Sequence, residues 1–326
     1  MEQILIALLK AAVRYKATDI HFRVEPDGHL STEMRIGGTM VPLDLKSLDE
    51  RFFRYLLYRA DMDVSSTALP QTGSFEAEAD GVRLALRFAL VSGFHVQSGV
   101  LRILNMTSGL RISDLSMDPR QVRHLERITS RRSGLYLFSG PTGSGKTTTL
   151  YTILNETEGK KIYTLEDPVE VYSDRYIQLQ VNESRHLSFA EGIRQLMRHD
   201  PDIIMIGEIR DSEAAAMAVR CALTGHLVLS TIHASSCTGA LHRMEDLGVQ
   251  AYQLEDILCG VSNQRLYEKQ DGSGKTCIYE MMERKELMYY FRNHRTDPDF
   301  IPLGKAAEEA VRRGIISAQE AEADLC

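Results

Sequence analysis

The sequence predicts an α/β chain of two domains, and three observations carry that prediction. At 326 residues the chain exceeds one ordinary core, and a hydrophobic share of 43% against 25% charged suits folded, water-facing domains. From Gly134 onward apolar strands alternate with helix-patterned stretches, the sign of a mainly parallel sheet with helices on both faces. Before that region, short alternating strands follow an opening helix, which reads as a smaller α+β domain.

The opening helix is read from Ile4, Leu8, Ala11 or Ala12 and Tyr15, which recur at helical spacing, and it ends before Thr18-Asp19-Ile20-His21. Between Gly81 and Leu90 the residues alternate, placing Leu84, Leu86, Phe88 and Leu90 on one face and Arg83 and Arg87 on the other. Gly99 to Leu104 is the expected neighbouring strand, joined through a loop at Ser92-Gly93, so that Arg87 and Arg102 meet at one edge. The stretch from Asn105 to Pro119 is rich in Ser, Asp and Gly and has no sustained period. The domains are therefore placed at residues 1–105 and 120–326, with 106–119 as the linker.

The second domain begins with a phosphate cradle. Leu135 to Phe138 is an apolar strand that runs into Gly140-x-x-x-x-Gly145-Lys146-Thr147, and a helix pattern follows to Leu154. Glycines let the loop turn its N–H groups toward phosphate oxygens, and the helix N-terminus adds partial positive charge. The residues expected to hold nucleotide are Gly140, Pro141, Thr142, Gly143, Ser144, Gly145, Lys146, Thr147 and Thr148. Lys146 is expected on the β- and γ-phosphates, and the Thr147 hydroxyl on Mg²⁺. Gly272 to Thr276 repeats the motif's last five letters without its first glycine or a leading strand, and reads as a hairpin loop.

Three further strands end in reactive side chains. Ile203 to Ile206 reads as a buried central strand from whose carboxyl end Glu208 emerges, where a carboxylate can orient and deprotonate an attacking water. The strand at Thr164 ends in Glu166, Asp167 and Glu170, a cluster that either faces solvent or holds Mg²⁺ or water. Leu227 to Ile232 is flanked by His226 at its start and His233 at its end, and His233 is placed to donate a hydrogen bond to phosphate. Ser188 to Glu191 is a capping box opening a helix whose Arg194 and Arg198 face either phosphate or solvent.

Composition narrows the partners. A net charge of -7 gives no basic surplus for nucleic-acid phosphates, which argues against a nucleic-acid translocase. No export signal is visible at the start, where Glu2 precedes the short apolar run Ile4 to Leu9. The five cysteines are scattered with no C-x-x-C pair, which fits a reducing cytoplasm and no zinc.

Taken in order, these motifs resemble those of the secretion and type IV pilus assembly ATPases. Gly140 to Thr147 is similar to that family's Walker A, Thr164 to Glu170 to its Asp box, Met197 to Asp211 to its Walker B, and Leu223 to His233 to its His box. Ala17-Thr-Asp-Ile-His21 resembles its Ser-Asp-Ile-His signature, and Arg87 and Arg102 fall at its two arginine-finger positions. The resemblance implies a RecA-like ATPase domain with a C-terminal helical region behind a PAS-like N-terminal domain. It also implies ATP with Mg²⁺, Glu208 as the catalytic carboxylate, Glu166 on water or Mg²⁺, and His233 on phosphate. A hexameric ring at the cytoplasmic face of the membrane, working against an inner-membrane platform protein, is implied as well. Without a four-cysteine zinc site after Gln264-Arg265-Leu266, the chain is most similar to the competence-pseudopilus members from Gram-positive bacteria. Val91 to Ser98 replaces the family's usual Pro-Thr and Gly-Glu between the finger strands. No Ala-Ile-Arg-Asn-Leu-type motif of retraction motors occurs between Ile278 and Cys326, so assembly is expected rather than retraction.

Overall fold

The chain folds as two units, Met1–Ser108 with Glu170–Tyr172, and Gly109–Val169 with Ser173–Cys326. A computed structural model describes residues 1–43, 48–65, 68–93, 96–104, 109–181 and 187–323.

The first unit opens with α1 (Glu2–Tyr15), followed by β1 (Ala17–Val24), β2 (Leu30–Ile36), β3 (Thr39–Leu43), α2 (Glu50–Arg59), β4 (Gln71–Ala79), β5 (Val82–Gly93) and β6 (Val96–Ile103). Its strands form one sheet in the order β3-β2-β1-β6-β5-β4, antiparallel throughout. Leu84, Leu86, Phe88 and Leu90 face the core with Phe22, Phe52 and Phe53, as the alternation of β5 requires. The buried stripe of α1 is Leu5, Leu8, Leu9 and Ala12, while Tyr15 is exposed. The apolar face is thus rotated from the expected one. Ser92 and Gly93 lie within β5 rather than in a loop, and residues 94 and 95 lie outside the described residues.

In the second unit, α3 (Ile112–Leu115) and α4 (Pro119–Glu126) lead into β7 (Gly134–Ser139), α5 (Lys146–Glu156), β8 (Ile162–Glu166), β9 (Ile177–Gln180), α6 (Phe189–Leu196) and β10 (Ile203–Ile206). There follow α7 (Ser212–Leu223), β11 (Leu227–Ile232), α8 (Cys237–Asp246), α9 (Ala251–Ile257), β12 (Leu258–Glu268) and β13 (Lys275–Glu283), then α10 (Arg284–Asn293), α11 (Leu303–Arg312) and α12 (Ala318–Ala323). The sheet order is β13-β12-β7-β11-β10-β8-β9, parallel except for the β12–β13 hairpin. Every residue of β7, β8, β10 and β11 is buried, which is why these strands read as continuous apolar runs. Gly272 and Gly274 turn the β12–β13 hairpin, as the glycine-rich repeat suggested.

Residues 109–119, read from composition as linker, fold with the second unit. Ile112 and Leu115 are buried, and the Ile112 N–H donates to Glu156 Oε1 at 2.9 Å at the far end of α5. Short polar stretches hide such a helix because only two of its four residues are apolar.

Candidate nucleotide-binding site

Strand register sets the site. Ile206 pairs with Leu165 and Ser230, and Ile232 pairs with Ser139, so β7, β8, β10 and β11 finish at one edge of the sheet. The phosphate loop, Glu166, Glu208 and His233 all follow from or close these strand ends. In an open parallel sheet that edge is where ligands bind.

The loop's backbone needs its glycines at two points for different reasons. At Gly140 φ is +144°, and a Cβ there would stand 2.6 Å from the Gln264 carbonyl oxygen and 2.6 Å from Ser144 Oγ. At Gly143 φ is +82° with nothing within 4 Å, so the space above that residue is open to a ligand. Pro141, Thr142 and Gly143 are exposed, Thr147 and Thr148 are half-buried, and Ser144 is buried, its hydroxyl without a hydrogen-bond partner among the described residues. Lys146 is the first residue of α5, and its Nζ donates to the carbonyls of Gly140 at 2.8 Å and Pro141 at 2.9 Å. Cation, helix N-terminus and open glycine together fit an anionic phosphate chain.

A layer of buried polar side chains underlies the loop. Gln264 Nε2 donates to the Ser144 carbonyl at 2.7 Å and to Thr149 Oγ1 at 3.2 Å, and Thr149 Oγ1 meets the Tyr279 hydroxyl at 2.8 Å. Asn263 Nδ2 donates to Ser139 Oγ and to the Ala234 carbonyl, both at 3.0 Å. Burial pushes the Tyr279 phenol far above its ordinary value and the Cys277 thiol up to about 11, so both remain protonated at neutral pH. Of these side chains the sequence reading singled out Gln264, within Gln264-Arg265-Leu266, and gave it no role. Their contacts come from the pairing of β12 with β7, which no local pattern announces.

The two acids sit in different surroundings. Glu166 is 3% exposed: Oε1 accepts from Thr164 Oγ1 at 2.5 Å and Gln178 Nε2 at 3.3 Å, and Oε2 accepts from the Tyr151 hydroxyl. It is a buried, hydrogen-bonded carboxylate rather than a member of a solvated cluster. Glu170 groups with the first unit. The side chain of Glu208 is 20% exposed and lies between Arg210 Nε at 2.7 Å and His233 Nε2 at 3.1 Å. Arg210, which the sequence reading left unassigned, also stands 3.7 Å from Asp167 Oδ2, and its bond to Glu208 holds its own pKa above the ordinary value. His226 lies at the opposite end of β11, against Thr224 and the Cys221 carbonyl.

For Mg²⁺, the donors on offer are the Thr147 hydroxyl and the carboxylates, and among the described residues no cluster of three or more His, Cys, Asp or Glu is arranged to hold a metal. Arg194 pairs with Glu191 at 2.6 Å on an exposed helix face, the solvent-facing alternative.

Arg87 and Arg102 lie in the first unit. They are directly opposed on β5 and β6, in the middle of the sheet and not at its edge, because β1 pairs with β6 and β4 covers β5. Arg102 Nε donates to Asp19 Oδ1 at 2.6 Å, which assigns a partner to the Thr18-Asp19-Ile20-His21 signature.

The family described as "Type II/IV secretion system protein" matches residues 1–315. Among curated proteins, "Type II secretion system protein E" of Klebsiella pneumoniae is 36% identical over 270 residues, covering 81% of this chain and 54% of that protein. The chain thus spans about half the length of the type II secretion E proteins it matches. "Competence protein ComGA" of Halalkalibacterium halodurans is 30% identical over 338 residues, covering 97% of this chain and 96% of that one. Among solved structures, the pilus retraction motor PilT with bound ADP superposes with a TM-score of 0.77 at 27% identity, covering 98% of this chain and 96% of that one. The second unit accordingly has the RecA-like ATPase fold.

Proposed function

Because the chain belongs to the type II/IV secretion system protein family, we propose that it is a Mg²⁺-dependent ATPase that works as a hexameric motor. It drives assembly of a type IV-like competence pseudopilus for DNA uptake, or of a type II-like secretion apparatus. The end-to-end correspondence with ComGA supports the competence reading. The partner is an inner-membrane platform protein, met at the cytoplasmic face of the membrane. Among the described residues no helix is long and apolar enough to cross a membrane, so the reading relies on that partner for attachment.

The observation that carries the proposal is the convergence of Lys146, Glu166, Glu208 and His233 at the carboxyl edge of one parallel sheet. The loop from Gly140 to Thr148 binds the phosphates through its N–H groups, and Lys146 leaves the Gly140 and Pro141 carbonyls for the β- and γ-phosphates. The Thr147 hydroxyl, with Glu166 acting on water or the metal, would hold Mg²⁺, which would supply neutralisation of phosphate charge. Glu208 takes a proton from the attacking water, and His233 donates toward the γ-phosphate. Arg87 and Arg102 serve as the arginine fingers that offset charge on the transferring group. Retraction is the second reading, favoured by the likeness to PilT.

Phosphate release from Mg·ATP tests the assignment in wild type, Lys146→Ala and Glu208→Gln. Turnover in the wild type with at least an approximately hundredfold loss in each variant is expected. Equal, negligible rates in all three would overturn it.

A further inference from the structure

Glu166 is held by donors of two origins. Thr164 and Gln178 stand opposite one another on β8 and β9, so they move with the sheet that carries Glu166 itself. Tyr151 instead comes from α5, the helix that starts at Lys146, and its hydroxyl donates to the other carboxylate oxygen. Tyr151 is 3% exposed, and its ring stacks on Tyr176 with centroids 6.3 Å apart. Gln178 Nε2 donates to the Tyr151 hydroxyl oxygen at 3.3 Å, which leaves the phenolic proton directed at Glu166.

We propose that Tyr151 is a positioning residue for Glu166, fixing the carboxylate's orientation relative to the helix that begins at the phosphate loop. This rests on the reading that Glu166 acts on the metal or water at the nucleotide. A buried carboxylate stripped of one donor turns toward whatever donors remain. Thr164 and Gln178, both on the sheet side, would then weigh more in setting its angle. Nucleotide affinity, set by the loop and Lys146, would be untouched, whereas turnover would fall. Tyr176 supplies the control, since its buried ring packs on Tyr151 while, among the described residues, its hydroxyl makes no hydrogen bond to Glu166.

The test compares Tyr151→Phe, Tyr176→Phe and Glu166→Gln with wild type. Tyr151→Phe should lower kcat about tenfold, the loss of one charge-assisted hydrogen bond in orienting a group. Its KM for ATP and its affinity for a fluorescent ADP analogue with Mg²⁺ should stay within about twofold, and Tyr176→Phe should turn over at the wild-type rate. Urea unfolding gives a readout independent of turnover. Tyr151→Phe should lower the midpoint in the wild-type background and lower it less in the Glu166→Gln background. Wild-type kcat in Tyr151→Phe, an equal loss in Tyr176→Phe, or equal midpoint shifts in both backgrounds overturns the proposal while leaving Glu166's role standing. A Glu166→Gln variant that turns over normally overturns that role, and this proposal with it.

Discussion

Replacing Gly140 with Ala separates two ways a glycine can matter. A Cβ at this position would be 2.6 Å from the Gln264 carbonyl oxygen, a backbone atom within β12 that cannot swing aside. The backbone, with φ at +144°, is also in a region that side chains avoid. Strain of that kind costs about 1–3 kcal/mol, and overpacking adds about 1–3 kcal/mol where the neighbour is rigid. Loop relaxation and the stiffer unfolded chain offset part of this, leaving a loss of about 2–4 kcal/mol. At Gly143, where φ is +82° and nothing lies within 4 Å, only the conformational cost of about 1 kcal/mol remains. At about 2–4 °C per kcal/mol for a unit of this size, Gly140→Ala should melt roughly 4–16 °C below wild type without nucleotide, and Gly143→Ala only about 2–4 °C below. Scanning calorimetry without nucleotide reads both. Equal shifts would refute the argument that the Gln264 carbonyl sets the requirement at Gly140.

Two further changes follow from the same contacts. Burial pushes the Asp19 carboxyl up, but hydrogen bonds from Arg102 and Thr18 outweigh it and hold its pKa below the ordinary value. A depressed carboxylate contributes stability that is present above its unfolded pKa, about 3.9, and is lost as pH falls through the lower folded value. Asp19→Asn should therefore be less stable than wild type at pH 7, with the two converging below about pH 4 in acid-unfolding curves. Gln264→Leu removes the donor to the Ser144 carbonyl and should cost about 1–3 kcal/mol in urea unfolding, with weaker binding of a fluorescent ADP analogue.

What could be read from the sequence was whatever depends on neighbours along the chain. Alternation placed the core face of β5, and continuous apolar runs marked β7, β10 and β11 as buried, because period and burial are properties of single elements. The strand-loop-helix context around Gly140 was legible for the same reason. Relations between elements were not. Arg87 and Arg102 were correctly seen as facing one another, yet the sheet inserts β6 between β1 and β5, which puts them in its centre. Tyr15 has the spacing of an apolar stripe, but α1 buries Leu5 and Leu9 instead, since the sheet beneath chooses which edge of an amphipathic helix it covers. The donors on Glu166 come from α5, β8 and β9, and the polar layer under the loop from β7, α5, β12 and β13. Such constellations exist only after the sheet order is fixed.

The contrast between the two acids bears on how such a site could work. Glu208 is held by Arg210, whose side chain is 58% exposed, and by His233, whose side chain is 49% exposed. Pairs with partners this exposed are worth about 0–1 kcal/mol and are readily exchanged. Glu166 has no such freedom, being enclosed by donors that are themselves anchored on α5, β8 and β9. A group that must pick up a proton from water and release it again needs replaceable partners, whereas one that only orients water or metal does better when fixed. This division favours Glu208 over Glu166 as the residue that moves protons. It also explains why two carboxylates at neighbouring strand ends need not compete for one role.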